Sequence, residues 1–221
     1  MSKSVAVILS GCGFLDGAEI RESVLALMAL DAAGASVKVF APDKDQHHVI
    51  NHLRSEESQD ENRNVLEESA RIARGDISPL SELSADQFDA LVMPGGFGVA
   101  KNLCTFAFDG PEGTVDPKVK SVIENFYEQR KPMGAICISP ALMSMVLGKH
   151  GIKLTIGQQE DVAKAIESTG AKHERHETAK EVCIDQEHKI ISTPAYMFDE
   201  AKVHHVYEGI HQLVNKTLEM A

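Results

Sequence analysis

Met133-Gly-Ala-Ile-Cys-Ile-Ser-Pro140 is a short apolar run that reaches a cysteine and passes straight into a helical pattern, Ser139 to Leu147, with Gly148 near its end. A run of this kind without polar alternation suits a parallel strand covered on both faces. The same grammar recurs on either side of it. Upstream, Val5-Ala-Val-Ile-Leu9 is closed by Ser10-Gly-Cys-Gly13, and Glu19 to Ala33 reads as a helix stopped by Gly34. Ser36 to Ala41 is a second strand. An acidic, His-dotted connection (43–62) leads to a helical stretch ending near Arg74-Gly75, and Asp89 to Met93 is a strand broken by Pro94-Gly95-Gly96. A helix from Asp116 to Arg130 carries Pro117 in its first turn, where the missing N–H costs nothing. Downstream, Val182-Cys-Ile184 and Lys189-Ile-Ile-Ser192 predict a hairpin, and Asp199 to Leu218 a final helix. Strands alternating with helices predict a three-layer α/β sandwich whose central sheet is mainly parallel. At 221 residues the chain is read as one domain, 1–221.

The formal net charge is −11. Bulk charge of that sign repels phosphates, so neither nucleic acid nor an anionic membrane surface is expected as a partner. No apolar stretch approaches the roughly 18 residues of a membrane span. Val5 to Leu9 is too short for a secretory core, and no cleavage site follows it. Cys12, Cys104, Cys137 and Cys183 form no CxxC pair, which argues against zinc ribbons and disulfide frameworks and points to a reducing cytoplasm.

In such folds reactive groups sit beyond the carboxyl ends of the strands. Cys137 occupies a strand–turn–helix elbow there, where the helix N-terminus favours thiolate and the N–H of Ile138 is free to face an oxyanion. The competing reading is a small buried hydrophobe. Gly96, one crossover away in the Pro94-Gly-Gly-Phe-Gly98 turn, is placed to give a second N–H. Glu22 lies in a helix whose Ile20, Val24, Leu25, Leu27, Met28 and Leu30 spread around the wheel, which predicts burial on nearly every side. A carboxyl there would be pushed towards neutrality and able to move a proton; the alternative is a surface Glu complementing the helix dipole. Cys12 is placed to line the same pocket. The ten His make no metal pattern, and neither a dinucleotide glycine fingerprint nor a P-loop is present, so no metal or cofactor is expected.

Gly17-Ala-Glu-Ile-Arg-Glu-Ser-Val24, Met93-Pro-Gly-Gly-Phe-Gly98 with Lys101-Asn-Leu103, and Ala135-Ile-Cys-Ile-Ser-Pro140 resemble three motifs of the ThiJ/PfpI superfamily, which has the class I glutamine amidotransferase-like (flavodoxin-like) fold. FAPDK, NVLEESARIARG and STPAYM bring it nearest to the isoprenoid-biosynthesis (ElbB) type, over essentially the whole chain. The resemblance implies Cys137 as nucleophile, Glu22 rather than Glu19 as its helix glutamate, and Gly96 and Ile138, beside Gly95, as oxyanion and substrate donors. It also implies a homodimer and a cofactor-free glyoxalase that converts a small aldehyde, glyoxal or methylglyoxal, to a 2-hydroxy acid. A redox-sensing or ligand-binding thiol and a degenerate amidotransferase or deglycase are the alternatives. Leu154-Thr-Ile-Gly157 lacks the His that many members place after the cysteine, which argues against a Cys–His–Glu glutaminase triad. A fold-back of His176 towards the site is open to the sequence but not demanded by it.

Overall fold

A computed structural model describes residues 2–221. Seven strands form the main sheet: β1 (Ser4–Ile8), β2 (Ser36–Ala41), β3 (Ile77–Pro79), β4 (Ala90–Met93), β5 (Met133–Ile136), β6 (Cys183–Asp185) and β7 (Ile190–Thr193). Their order is β6-β7-β5-β4-β1-β2-β3. Every pairing is parallel except β6 with β7, the predicted hairpin, in which Cys183 faces Ser192. The central position of β1, β4 and β5 explains their unbroken apolar runs, since helices cover both faces.

Alternation within β1 assigns the faces. Val5, Val7 and Leu9 pack with Ala26 and Leu30 of helix α1 (Ile20–Ala32) and with Ile210 and Leu213 of the C-terminal helix, α6 (Val203–Met220). Ala6 and Ile8 point the other way, into a core with Val119, Ile123 and Phe126 of α3 (Pro117–Glu128), Leu142 of α4 (Ser139–Leu147) and Ile166 of α5 (Glu160–Ser168). Helix α2 (Val65–Ile72) is capped by Asn64, whose Oδ1 accepts the N–H groups of Leu66 and Glu67. Asp116 caps α3 in the same way, so Pro117 falls at the start of the helix as predicted.

Three features depart from the sequence reading. Strand β3 and helix α5 were not anticipated; β3 has three residues and ends in Pro79, and α5 is a polar segment with Ile166 its one fully buried side chain. The connection 43–62 is exposed along much of its length but is tied down. Ile50 N–H donates to Asp16 Oδ2 at 2.7 Å and Leu15 N–H to His52 Nε2 at 3.3 Å, closing it over the loop that follows β1. Helix α1 is not buried all round: Ile20, Val24 and Met28 remain 44 to 47% exposed on one stripe. Its core contact is made instead by the small residues Ser23, Ala26 and Ala29 with Leu30, and Glu22 belongs to that buried face.

Candidate active site

Four loops meet where β1, β4, β5 and β7 end. The elbow after β5 is sharp because Cys137 adopts φ 61°, a left-handed conformation that a non-glycine residue holds only when its surroundings impose it. They do so here. Cys137 N–H donates to Thr193 O at 2.9 Å, and Ser139 Oγ donates to Pro94 O at 2.8 Å, pinning the elbow to the loops after β7 and β4. The side chain is thereby held where the N–H groups of Gly96 and Ile138 bond the sulfur.

Glu22 reaches the same point from the first turns of α1. It is completely buried, and both of its oxygens are held by backbone: Gly95 N–H donates to Oε2 at 3.0 Å and Tyr196 N–H to Oε1 at 3.1 Å. Its carboxyl also forms a side-chain hydrogen bond with Cys137. Glu19, by contrast, is the N-cap residue of α1, accepting Glu22 N–H at 2.6 Å. Glu22, not Glu19, is therefore the carboxyl that lies beside Cys137.

Electrostatics make the two groups a coupled pair. Burial, and next the charge on Glu19, push the Glu22 carboxyl up to about 8; the hydrogen bonds from Tyr196, Cys137 and Gly95 pull only partly against this. Burial raises the Cys137 thiol well above its ordinary value, and the Glu22 charge raises it further, while Gly96 and Ile138 oppose. The expected lowering of the thiol by the helix N-terminus is therefore overturned: a resting thiolate is disfavoured because desolvation outweighs two N–H donors. What the site does offer is a neutral carboxyl and a thiol sharing protons beside two N–H groups.

Gly95 and Gly96 are required for different reasons. A Cβ on Gly95 would stand 2.4 Å from Cys137 Cβ, 2.8 Å from Glu22 Oε2 and 2.9 Å from Ile136 O. Gly96 has φ +98°, and a Cβ there would strike Gly17 O and Glu19 N at 2.4 Å. Gly95→Ala is expected to lower thermal stability by about 1–3 kcal/mol through overpacking and to slow Cys137 alkylation, read by calorimetry and iodoacetamide kinetics.

Residues that the sequence reading left without a role complete the site. Ala195, at φ 45°, turns the chain so that the next N–H meets Glu22. Tyr196 in turn receives Arg21 Nη1 on its hydroxyl at 3.2 Å. Backbone donors of this kind leave no trace in residue type; the signal was only that Ser192-Thr-Pro-Ala-Tyr-Met197 forms a recognisable motif. Cys12 is not drawn to Cys137 but lines a shallow cavity of about 680 Å³ between α1 and α2 with Ile20, Val24, Met28 and Arg71. His176 bonds Glu174 Oε1 at 2.9 Å through Nε2 and is not among the groups bonded to the sulfur.

Known proteins share this sequence pattern and fold. The sequence is 44% identical over 225 residues to the ES1 protein homolog, mitochondrial, of Rattus norvegicus, spanning 98% of this chain and 83% of that one. It is 45% identical to the human glutamine amidotransferase-like class 1 domain-containing protein 3, mitochondrial, spanning 98% and 82%. The fold superposes with TM-score 0.92 and 38% identity, over 99% of both chains, on the crystal structure of an isoprenoid biosynthesis protein with amidotransferase-like domain from Ehrlichia chaffeensis. Drosophila melanogaster DJ-1beta shares the fold at TM-score 0.57 and 22% identity. The model of the DJ-1/PfpI family matches residues 3–195, which takes in all seven strands of the main sheet and the site loops as far as Ala195, and the chain belongs to that family.

Proposed function

We propose that the protein is a cofactor-independent glyoxalase-type enzyme acting on glyoxal or methylglyoxal through Cys137. The observation that carries this reading is the pairing of a left-handed elbow cysteine with a buried carboxyl raised to about 8, under two N–H groups directed at the sulfur. Cys137 sulfur bonds the aldehyde carbon as its proton passes by way of Glu22 to the carbonyl oxygen, giving a hemithioacetal whose developing alkoxide the Gly96 and Ile138 N–H groups stabilise. In the form of the pair that has already released one proton, Glu22 is a carboxylate again after this relay; it removes the proton on that carbon and returns it to the neighbouring carbonyl carbon, while the hydroxyl proton crosses to the neighbouring oxygen. The product is a thioester, reached without net oxidation or reduction. Water cleaves it, releasing the 2-hydroxy acid and the thiol. A carboxyl near neutrality is suited to both directions of transfer, because it gives and accepts protons at working pH. Glycolate formation from glyoxal by the wild type, and its loss in Cys137→Ser, tests the reading.

A redox-sensing role is the weaker reading, since sensor thiols are low in pKa and exposed, and Cys137 is neither. No helix among the described residues is long and apolar enough to cross a membrane. Four free thiols suit a reducing compartment, read here as the cytoplasm.

We further propose a homodimer through α1. Its exposed Ile20, Val24 and Met28 rim the cavity shared with α2, whose lining also includes Asp31 and Arg74. An apolar stripe with one acidic and one basic residue beside it suits an interface in which the same patch meets its own copy. Val24→Glu is expected to convert the dimer to monomer in light scattering; an unchanged mass would place the interface elsewhere.

A further inference from the structure

The loop after β4 continues from Gly96 through Phe97 to Lys101, and Lys101 is an unusual cation. Its ammonium is partly buried, and burial holds its pKa below the ordinary lysine range. It donates to Leu15 O at 2.9 Å and sits 5.3 Å from the centre of the Phe97 ring. Among the described residues it forms no ion pair; Asp16 and Glu57 act on it only from farther away. An ammonium has three donors, so two are left without a protein acceptor. A charge taken partly out of water without a counter-ion is costly unless something else pairs it.

Its position gives this meaning. Phe97 directly follows Gly96, whose N–H bonds the Cys137 sulfur, and its own N–H donates to Phe14 O at 2.8 Å. Both rings are about half exposed, 48% for Phe97 and 49% for Phe14. Two half-exposed rings therefore stand next in sequence and in hydrogen bonding to the Gly96 turn, with a single unpaired cation beside Phe97, on a chain whose net charge otherwise repels anions. We propose that Lys101 is the anion-recognition point of the Cys137 site, so that the substrate class is a 2-oxoaldehyde carrying a carboxylate-type group at the end remote from its aldehyde. The proposal rests on Cys137 as the aldehyde-binding nucleophile, and its test has an arm that does not need turnover.

Cys137 and added N-acetylcysteine are labelled with N-phenylmaleimide and N-(4-carboxyphenyl)maleimide and followed by mass spectrometry. The carboxylated-to-neutral rate ratio at Cys137 is expected to exceed that of the free thiol by about fivefold or more, the preference a charge-assisted contact supports. It should fall to the free-thiol value in Lys101→Met and Lys101→Gln and persist in Lys101→Arg. Because each ratio is internal, loss of the Leu15 contact does not imitate the effect. The second arm compares kcat/KM for 4-carboxyphenylglyoxal and phenylglyoxal in the same proteins. A maleimide ratio that moves with Lys101 while neither glyoxal turns over keeps the anion site and removes the glyoxalase reading. Turnover with ratios indifferent to Lys101 does the reverse, leaving Lys101 as a staple for Leu15.

Discussion

In Cys137→Ser, glycolate production from glyoxal is expected to fall by at least about a thousandfold, to the level of the uncatalysed reaction. Serine preserves the elbow, because the left-handed backbone is imposed by the Thr193 and Pro94 contacts rather than by sulfur. Circular dichroism and melting temperature should therefore stay close to wild type while activity disappears. The hydroxyl cannot replace the thiol, since no histidine base bonds it and Glu22 is not basic enough to ionise an alcohol. Retained turnover in Cys137→Ser would remove the covalent mechanism altogether. Loss of turnover with an unfolded protein would be uninformative, which is why Gly95→Ala, a packing change at the same point, is the useful companion.

Glu22→Gln is the second large effect and separates two roles that a single activity measurement merges. Proton transfer by a positioned carboxyl contributes about 10²–10⁴ in rate, so turnover should drop by that order. Alkylation of Cys137 by iodoacetamide at neutral pH should change by less than about tenfold, because a carboxyl titrating near 8 is largely neutral there and an amide takes its place without adding charge. In the wild type, alkylation should climb with pH up to and beyond about 8 as the pair releases its first proton. Equal losses of turnover and alkylation would instead make Glu22 a scaffold for the thiol. Stability gives an independent check. The folded Glu22 keeps its proton up to about 8, whereas the unfolded chain releases it at the ordinary carboxyl value of 4.5. Between those limits the unfolded state gains on the folded one by up to about 1.4 kcal/mol per pH unit. Below them both states are protonated and the penalty is absent. The melting temperature of Glu22→Gln should therefore rise relative to wild type between pH 5 and pH 8, offset by whichever backbone hydrogen bond the amide cannot accept.

Some parts of this protein are visible in residue order and others are not. β2, β5 and α4 fall on the predicted residues because local sequence punctuates them: apolar runs, then Gly, Pro or a polar cap. β3 and α5 were missed because a three-residue edge strand and a polar helix carry little periodic signal. In α1 the error has a different origin. A wheel crowded with Ile, Val, Leu and Met predicts burial on all sides, but it is the small Ser23, Ala26 and Ala29 that let the helix approach the sheet, and three large side chains face outward. An apolar residue on a wheel reveals that burial is favourable somewhere; it does not say whether the covering surface belongs to this chain or to another.

The sequence by itself determined the α/β architecture and the elbow at Cys137, because strand-to-helix punctuation is a local property of the chain; the choice of Glu22 over Glu19 was implied by the family resemblance. Only the tertiary structure decided the protonation of the pair. The expectation of an activated thiolate came from one helix N-terminus, a local term. Desolvation depends on everything packed around the two groups, including Tyr196, 174 residues from Glu22 along the chain. It reverses the sign for Cys137 and lifts Glu22 to about 8. No pattern of neighbouring residues encodes that total, since it is a sum over contacts made only when β1, β4, β5 and β7 end at the same place.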